Sequence, residues 1–407
     1  MSPPSPRGRH AQAARAPAGL PPTPELRSTG RRTSPAGIYV HLPYCASRCG
    51  YCGFVVTTDS SSSETYLAAL EREAALLIAE TEGAAFDSLY LGGGTPSLTR
   101  TEDLARLLET LRSRFGLSAG SEVTLEANPE DVTPARAASW AAAGVNRVSV
   151  GVQSFEDREL AAVGRRHDAD RARAALATLV EAGLSVSGDL ILGLPEQTAE
   201  SFRRSAAALA GSGIEHVSVY LLETDKSKTM EQDRRLRPDR YLSDDAQADL
   251  WLELSQSLGG RGLRHYEISN WARPGREARH NLKYWTRTPT LGLGVSAHEL
   301  WAGRRRANVS ALPAYLAGLE AGRRPTALDR PCDAAEEARE RIVLGLRLAQ
   351  GVPAGELESW IAASEDTRLL GDYADWLALG LLEADGERVR FTEKGFLVCN
   401  EVLCRFV

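Results

Sequence analysis

The 407-residue sequence has no apolar run long enough to cross a membrane. Its N-terminus lacks the apolar centre of a secretory signal. Cysteine is sparse: there are six, and Cys332, Cys399 and Cys404 are scattered near the C-terminus. A disulfide scaffold needs a dense, even set in a small secreted chain, so that class is excluded. Together these absences predict a cytoplasmic protein, in a reducing compartment where thiolates stay free. The charge is one-sided as well. Of the net −6, residues 1–36 contribute +5 through six arginines and one acid, Glu25, which leaves −11 for the rest. So acidic a body is not expected to take nucleic acid as its main partner. The tail is rich in Pro, Ala and Ser and cannot bury enough apolar surface to order itself. No aromatics interleave its arginines, so it reads as a disordered basic extension rather than a binding arm.

Against this background Cys45, Cys49 and Cys52 are conspicuous, crowded into eight residues. No fourth Cys or His lies close by in sequence, as a structural zinc site would need. A cubane 4Fe–4S cluster has four irons. Three thiolates can hold it and leave one iron open to a small molecule. The triplet is therefore the expected metal site.

From residue 37, apolar strands alternate with amphipathic helices. Residues 37–42, 88–91 and 186–192 read as strands, with further strands around Val123 and Leu125, Val148 to Val152, and Val217 to Leu221. Helical spacing appears at Leu67, Leu70, Ala74 and Leu77, and again at Leu104, Leu107, Leu108 and Leu111. A third helix, with Leu176, Leu179 and Val180, ends at Gly183. Six strand–helix units predict an α/β fold: a partial, TIM-like (βα)6 barrel over 37–225, open on one side. Residues 226–330 lose this regularity and read as an extension closing one side of the barrel. Residues 331–407 suggest helices followed by a hairpin with Asp385–Gly386 at its turn, a winged-helix-like α+β domain with a packing role.

Sites in α/β barrels form where strands end and loops begin. The cysteine loop follows the first strand. Gly92-Gly93-Gly94-Thr95 follows the second, where missing Cβ atoms let backbone approach a ligand. Glu126, Gln153, Arg165 and Asp189 fall at or near successive strand ends, and such groups can accept from hydroxyls and amines or pair with a carboxylate.

Tyr39-Val40-His41-Leu42-Pro43-Tyr44-Cys45, the triplet, Gly92–Ser97, Gly151-Val152-Gln153 and Asp189–Pro195 resemble one branch of the radical S-adenosylmethionine superfamily. That branch comprises the relatives of oxygen-independent coproporphyrinogen III oxidase, and the resemblance runs from Gly37 to the C-terminus. It implies that Cys45, Cys49 and Cys52 bind a 4Fe–4S cluster. It implies that Tyr39, Tyr51, Gly93, Gly94, Thr95, Glu126, Gln153, Arg165 and Asp189 contact S-adenosylmethionine.

Phe54 stands where the oxidase has a further cysteine, which resembles the heme chaperone subfamily instead. Arg279-His280-Asn281-Leu282-Lys283-Tyr284-Trp285 resembles that subfamily's His-Asn-x-x-Tyr-Trp signature. The resemblance implies heme binding through His280, Asn281, Tyr284 and Trp285, with His280 as axial ligand, His298 as a second candidate, and transfer to an acceptor hemoprotein, a respiratory one. Two positions depart from the pattern: Gly53 where Asp is common, and Glu299 after His298 where Ser is usual. The alternative activities are radical decarboxylation of coproporphyrinogen III and, less favoured, an iron–sulfur-sensing winged-helix regulator.

Overall fold

Six strands carry the barrel: β1 (Ala36–Leu42), β2 (Phe86–Gly93), β3 (Glu122–Ala127), β4 (Arg147–Gln153), β5 (Ser185–Leu192) and β6 (His216–Leu221). In the computed structural model, which describes residues 34–364 and 366–407, they pair in that order and all in parallel. The expected tail lies outside the described residues except for its last three. Apolar and polar residues alternate along much of each strand. Ile38, Val40, Leu42, Leu89, Leu91, Val123, Leu125, Val148 and Val150 are buried in the main core. The intervening residues are polar: Tyr39 and His41, Ser88 and Tyr90, Thr124 and Glu126, Ser187 and Asp189. The apolar side packs under the outer helices, and the polar side lines a lumen.

Helices return the chain between strands, and their ends carry the expected chemistry. Gly116, at φ 61°, closes helix Thr101–Phe115, and Thr198 and Ser201 form a capping box on helix Ala199–Ala210. Gly183, at φ 74°, lies just beyond helix Ala169–Glu181, as the sequence predicted.

The region after Glu223 departs from expectation. It was expected to close one side of the barrel, but it extends both edges of the sheet. β7 (Arg264–Glu267) and β8 (Asn270–Ala272) continue it antiparallel beyond β6. β9 (Thr290–Leu293) adds a seventh parallel strand beside β1, and β10 (His298–Trp301), β11 (Arg304–Asn308) and β12 (Thr326–Pro331) follow it antiparallel. The strand signal there is weak for a physical reason. β11 opens with three arginines and β12 is exposed throughout, so neither shows an apolar alternation. The sheet has twelve strands in all and remains open.

Beyond β12, β13 (Val352–Pro353), β14 (Leu382–Ala384) and β15 (Arg388–Phe391) form a three-stranded sheet packed with helices Ala334–Gly345, Ala354–Ala363 and Thr367–Ala378. The β14–β15 hairpin turns at Asp385–Gly386. The Asp385 carboxylate accepts the Glu387 and Arg388 N–H groups, and Gly386 takes φ 91°. Two short helices, Glu393–Leu397 and Cys399–Leu403, complete this winged-helix-like part.

Candidate functional site at the barrel rim and lumen

The loop after β1 is held by backbone hydrogen bonds. Cys45 N–H donates to Thr57 and Thr57 N–H to Pro43, while Gly50 N–H reaches across to Val163. Tyr51 packs on the apolar group of Val163, Ile191, Leu194, Leu222 and Met230. This fixes three free, half-buried thiols. Burial raises the pKa of Cys45 and Cys52, and the neighbouring Cys49 thiol raises both further. Two donors oppose that: Thr95 Oγ1 donates to Cys45 Sγ at 3.4 Å, and an Arg165 nitrogen lies 3.7 Å from Cys49 Sγ. Among the described residues no three His, Cys, Asp or Glu side chains converge on a point that one ion could fill. Each thiolate of a cubane binds a different iron, so three free thiols spread along one loop suit a cluster.

The glycines after β2 fit closely against the chain itself. Gly94 N–H donates to Leu42 and Thr95 N–H to Tyr44. A Cβ on Gly94 would lie 2.7 Å from the Pro43 carbonyl carbon. Close approach is thus needed between this turn and the root of the cysteine loop, beyond any need of a ligand.

Asn128, which the sequence reading passed over, is a hub. Its amide nitrogen donates to Thr95 Oγ1 at 3.3 Å, and its carbonyl accepts from Arg165 at 2.7 Å. Arg165 also donates to Gly151 O at 2.6 Å and approaches the Tyr51 hydroxyl at 3.5 Å. Cys45, Thr95, Asn128, Arg165 and Cys49 therefore form one connected set. Gln153 sits at φ 65°, a strained backbone for a non-glycine residue. Gln153 Oε1 and Arg165 Nε are buried without partners. Orphaned polar atoms beside three thiols fit a polar ligand such as S-adenosylmethionine. Asp189 lies deeper, accepting from Ser149 and Ser187, with its pKa raised by burial.

Glu126 accepts the Tyr90 hydroxyl at 2.8 Å and the Gly93 N–H at 3.0 Å. Burial nevertheless pushes its pKa up to about 7, with Asp189 adding to the effect. Glu126, Tyr39 and Gly93 line one side of a cavity of about 350 Å³. Asn281, Tyr284 and Trp285 line the other. The two motifs, far apart in sequence, thus face one space.

The second motif forms helix Arg279–Trp285. Glu122, at the start of β3, accepts the backbone N–H groups of Arg279 and His280. Lys283 pairs with Asp87 and packs on Gly37, near the start of β1. The helix therefore plugs the amino-terminal end of the barrel, opposite the cysteine loop.

His280, expected to face heme, is 0 % exposed and stacks on Tyr90. Its Nδ1 pairs with Ser88 Oγ at 3.0 Å and its Nε2 with the Tyr284 hydroxyl at 2.9 Å. Burial drives its pKa down to about 3. Neither ring nitrogen is free, so His280 stands behind Tyr284 instead of facing the cavity. His298 is exposed on β10 and does not line the cavity. Glu299 is buried, and bonds from Arg306 and Arg324 explain how an acid is accommodated there. Gly53 packs against the Lys226 side chain.

The lining also includes Phe54, Tyr220 and Glu267, of which only Phe54 stood out in sequence. Phe54 is 65 % exposed, at the mouth. Glu267 is buried with its pKa raised to about 7 by desolvation, and its Oε1 has no partner. A signal for Tyr220 existed in the β6 alternation, which puts it on the same face as Ser218.

The model of the radical SAM superfamily matches residues 39–209, and that of the HemN C-terminal domain matches 332–398. The chain is 36 % identical over 376 residues to the heme chaperone HemW of Mycobacterium tuberculosis, covering 91 % of this chain and 94 % of that one. With HemW of Bacillus subtilis the identity is 31 % over 376 residues, covering 91 % and 98 %. Coproporphyrinogen III oxidase (HemN) from Escherichia coli superposes with a TM-score of 0.80 at 25 % identity, covering 91 % of this chain and 90 % of that one. The relatives match along barrel, plug and C-terminal domain alike, and the chain belongs to the heme chaperone HemW family of the radical SAM superfamily.

Proposed function

We propose that the protein binds heme and hands it to an acceptor hemoprotein while keeping a 4Fe–4S cluster on Cys45, Cys49 and Cys52. The observation that carries this reading is the shared cavity. Residues of the S-adenosylmethionine motif and of the Arg279–Trp285 segment line the same space, with Phe54 beside them. The printed name of the relatives, heme chaperone, supports it. When bound, the cluster supplies an open iron site and a one-electron couple. The chain's own residues do the rest. Thr95 and Arg165 hydrogen-bond the sulfurs, Glu126 offers a carboxyl group to an amine, and the plug shapes the far wall. No helix among the described residues is long and apolar enough to cross a membrane.

The test is anaerobic reconstitution with iron and sulfide, then titration with ferric heme, then mixing with an apo-hemoprotein. A saturable heme complex that loads the acceptor supports the proposal. A second reading is radical decarboxylation of coproporphyrinogen III, favoured by the close superposition on HemN. Porphyrinogen turnover without a stable heme complex would select it.

A further inference from the structure

Strand alternation puts Ser187 and Asp189 of β5 and His216 and Ser218 of β6 on the lumen face, and the parallel register sets Ser187 against His216. His216 is buried, and both its ring nitrogens have partners. Its Nδ1 lies 2.7 Å from Ser187 Oγ, and its Nε2 lies 2.8 Å from the hydroxyl of Tyr266 on β7. Ser187 Oγ lies in turn 3.3 Å from Asp189 Oδ1, while Ser149 Oγ donates to Asp189 Oδ2 at 3.0 Å. At the other end, the Ala278 N–H, just ahead of the plug, donates to the Tyr266 hydroxyl oxygen at 3.3 Å.

Counting protons gives this chain of hydrogen bonds a direction. Burial, with Arg147 nearby, drives the His216 pKa well below the ordinary imidazole value, so the ring is neutral and carries one N–H. Suppose that hydrogen sat on Nε2. It would donate to Tyr266, whose oxygen already accepts from Ala278, and the phenol proton would find no acceptor among its hydrogen-bond partners. Ser187 would then turn its single proton to Nδ1, the nearer acceptor, and away from Asp189. With the hydrogen on Nδ1 every group is satisfied. Tyr266 donates to Nε2, Nδ1 donates to Ser187, and the Ser187 hydroxyl is free to donate to Asp189. Ser218 Oγ, 3.3 Å from Ser187 Oγ, can donate to the second lone pair of that oxygen without competing for its proton. The tautomer is thus assigned from the network.

We infer that His216 is a positioning residue for S-adenosylmethionine: locked by Tyr266 into its Nδ1–H form, it directs the Ser187 hydroxyl at Asp189 and so holds that carboxylate ready for the ligand's hydroxyl or amine donors. The inference rests on the expectation that Asp189 contacts S-adenosylmethionine. Each donor lost makes an ionised carboxylate at this depth costlier to keep. A change at Tyr266 or His216 therefore lowers affinity for the ligand although no residue touching the ligand has changed. His216 stays neutral throughout, and no proton is gained or lost by the ring.

The experiment is anaerobic calorimetric titration of the reconstituted full chain with S-adenosylmethionine, in a double-mutant cycle of Tyr266→Phe and Ser187→Ala. Ser187→Ala should weaken binding about tenfold. Tyr266→Phe removes a hydroxyl three hydrogen bonds away from Asp189. It should weaken binding about fivefold alone and have no further effect in the Ser187→Ala background, because Ser187 is its route to Asp189. A packing role would give additive losses instead. Iron–sulfur absorption should match wild type in each variant. Nitrogen NMR of the histidine rings gives a readout without the ligand. The His216 signal, identified by its loss in His216→Gln, should show the hydrogen on Nδ1. Wild-type affinity in Tyr266→Phe, additive losses, or an Nε2–H ring in the wild type overturns the inference. Unchanged affinity in Asp189→Asn removes Asp189 from the ligand's contacts, and the inference with it. A wild-type chain that carries the cluster yet takes up no S-adenosylmethionine overturns the reading of the rim itself.

Discussion

Gly93 lies directly on the imidazole of His41: a Cβ there would sit 2.5 Å from the ring carbon Cε1. His41 in turn donates from Nε2 to Val55 O at 2.8 Å, inside the cysteine loop. The glycine turn, the first strand and the thiols are therefore one packed assembly. Gly93 also takes φ 109°, where side chains are strained. Gly93→Ala should cost about 3 kcal/mol, combining overpacking with backbone strain. Urea unfolding would measure it, and the variant should also lose its iron–sulfur absorption during anaerobic desalting.

Glu126 and Glu267 both have folded-state pKa values of about 7, above the ordinary carboxyl range, with desolvation as the main cause. The sign follows from linkage. The folded state favours the protonated form, so the two groups cost nothing at pH 4.5 and destabilise as pH rises towards 7. Each ionised carboxylate should cost about 3 kcal/mol above pH 7. Glu126→Gln with Glu267→Gln should therefore be more stable than wild type at pH 8, and close to it at pH 5. Chemical unfolding at a series of pH values checks this. A double variant that tracks wild type at every pH would refute it.

Removing the His280 ring should unsettle the plug. His280→Ala strands the Ser88 and Tyr284 hydroxyls and opens a void under Tyr90, at a cost of about 2–4 kcal/mol. His298→Ala, on an exposed site, should stay within about 0.5 kcal/mol of wild type. Equal effects from the two would contradict the structure.

Glu299 joins Arg306 and Arg324, and Arg324 also reaches Glu73 and Glu80. Removing one partner of a buried ion network leaves charges uncompensated. Glu299→Ser should lower stability by about 3 kcal/mol, and Glu299→Gln by less, since its amide oxygen still accepts. Thermal unfolding of the pair decides the order.

The barrel strands were legible because each carries β-branched or leucine side chains at alternate positions, such as Ile38 and Val40, Leu89 and Leu91, or Val148 and Val150. The cysteine loop was legible because three thiols so close have few explanations. The plug was half legible. Its residues stood out, but their direction did not, because whether His280 or Tyr284 meets the cavity depends on how the helix sits against Glu122, Lys283 and Gly37. Asn128 and Glu267 were invisible for the same reason. A polar residue at a strand end looks like any loop residue until its partners arrive from elsewhere. β9 and β10 were missed because each is only four residues long, too short to show a period, and β11 and β12 because arginines and exposed residues leave no hydrophobic alternation to read.

The pairing of β9 with β1 has a consequence for biogenesis. β1 begins at residue 36, yet its outer neighbour begins at residue 290. As the polypeptide leaves the ribosome, the strand that leads into the thiol loop must wait with one edge bare while some 250 residues are made. Such an edge recruits foreign strands, and distant pairings close slowly. Iron delivered early would meet a half-walled vessel, so metallation should follow release of the finished chain.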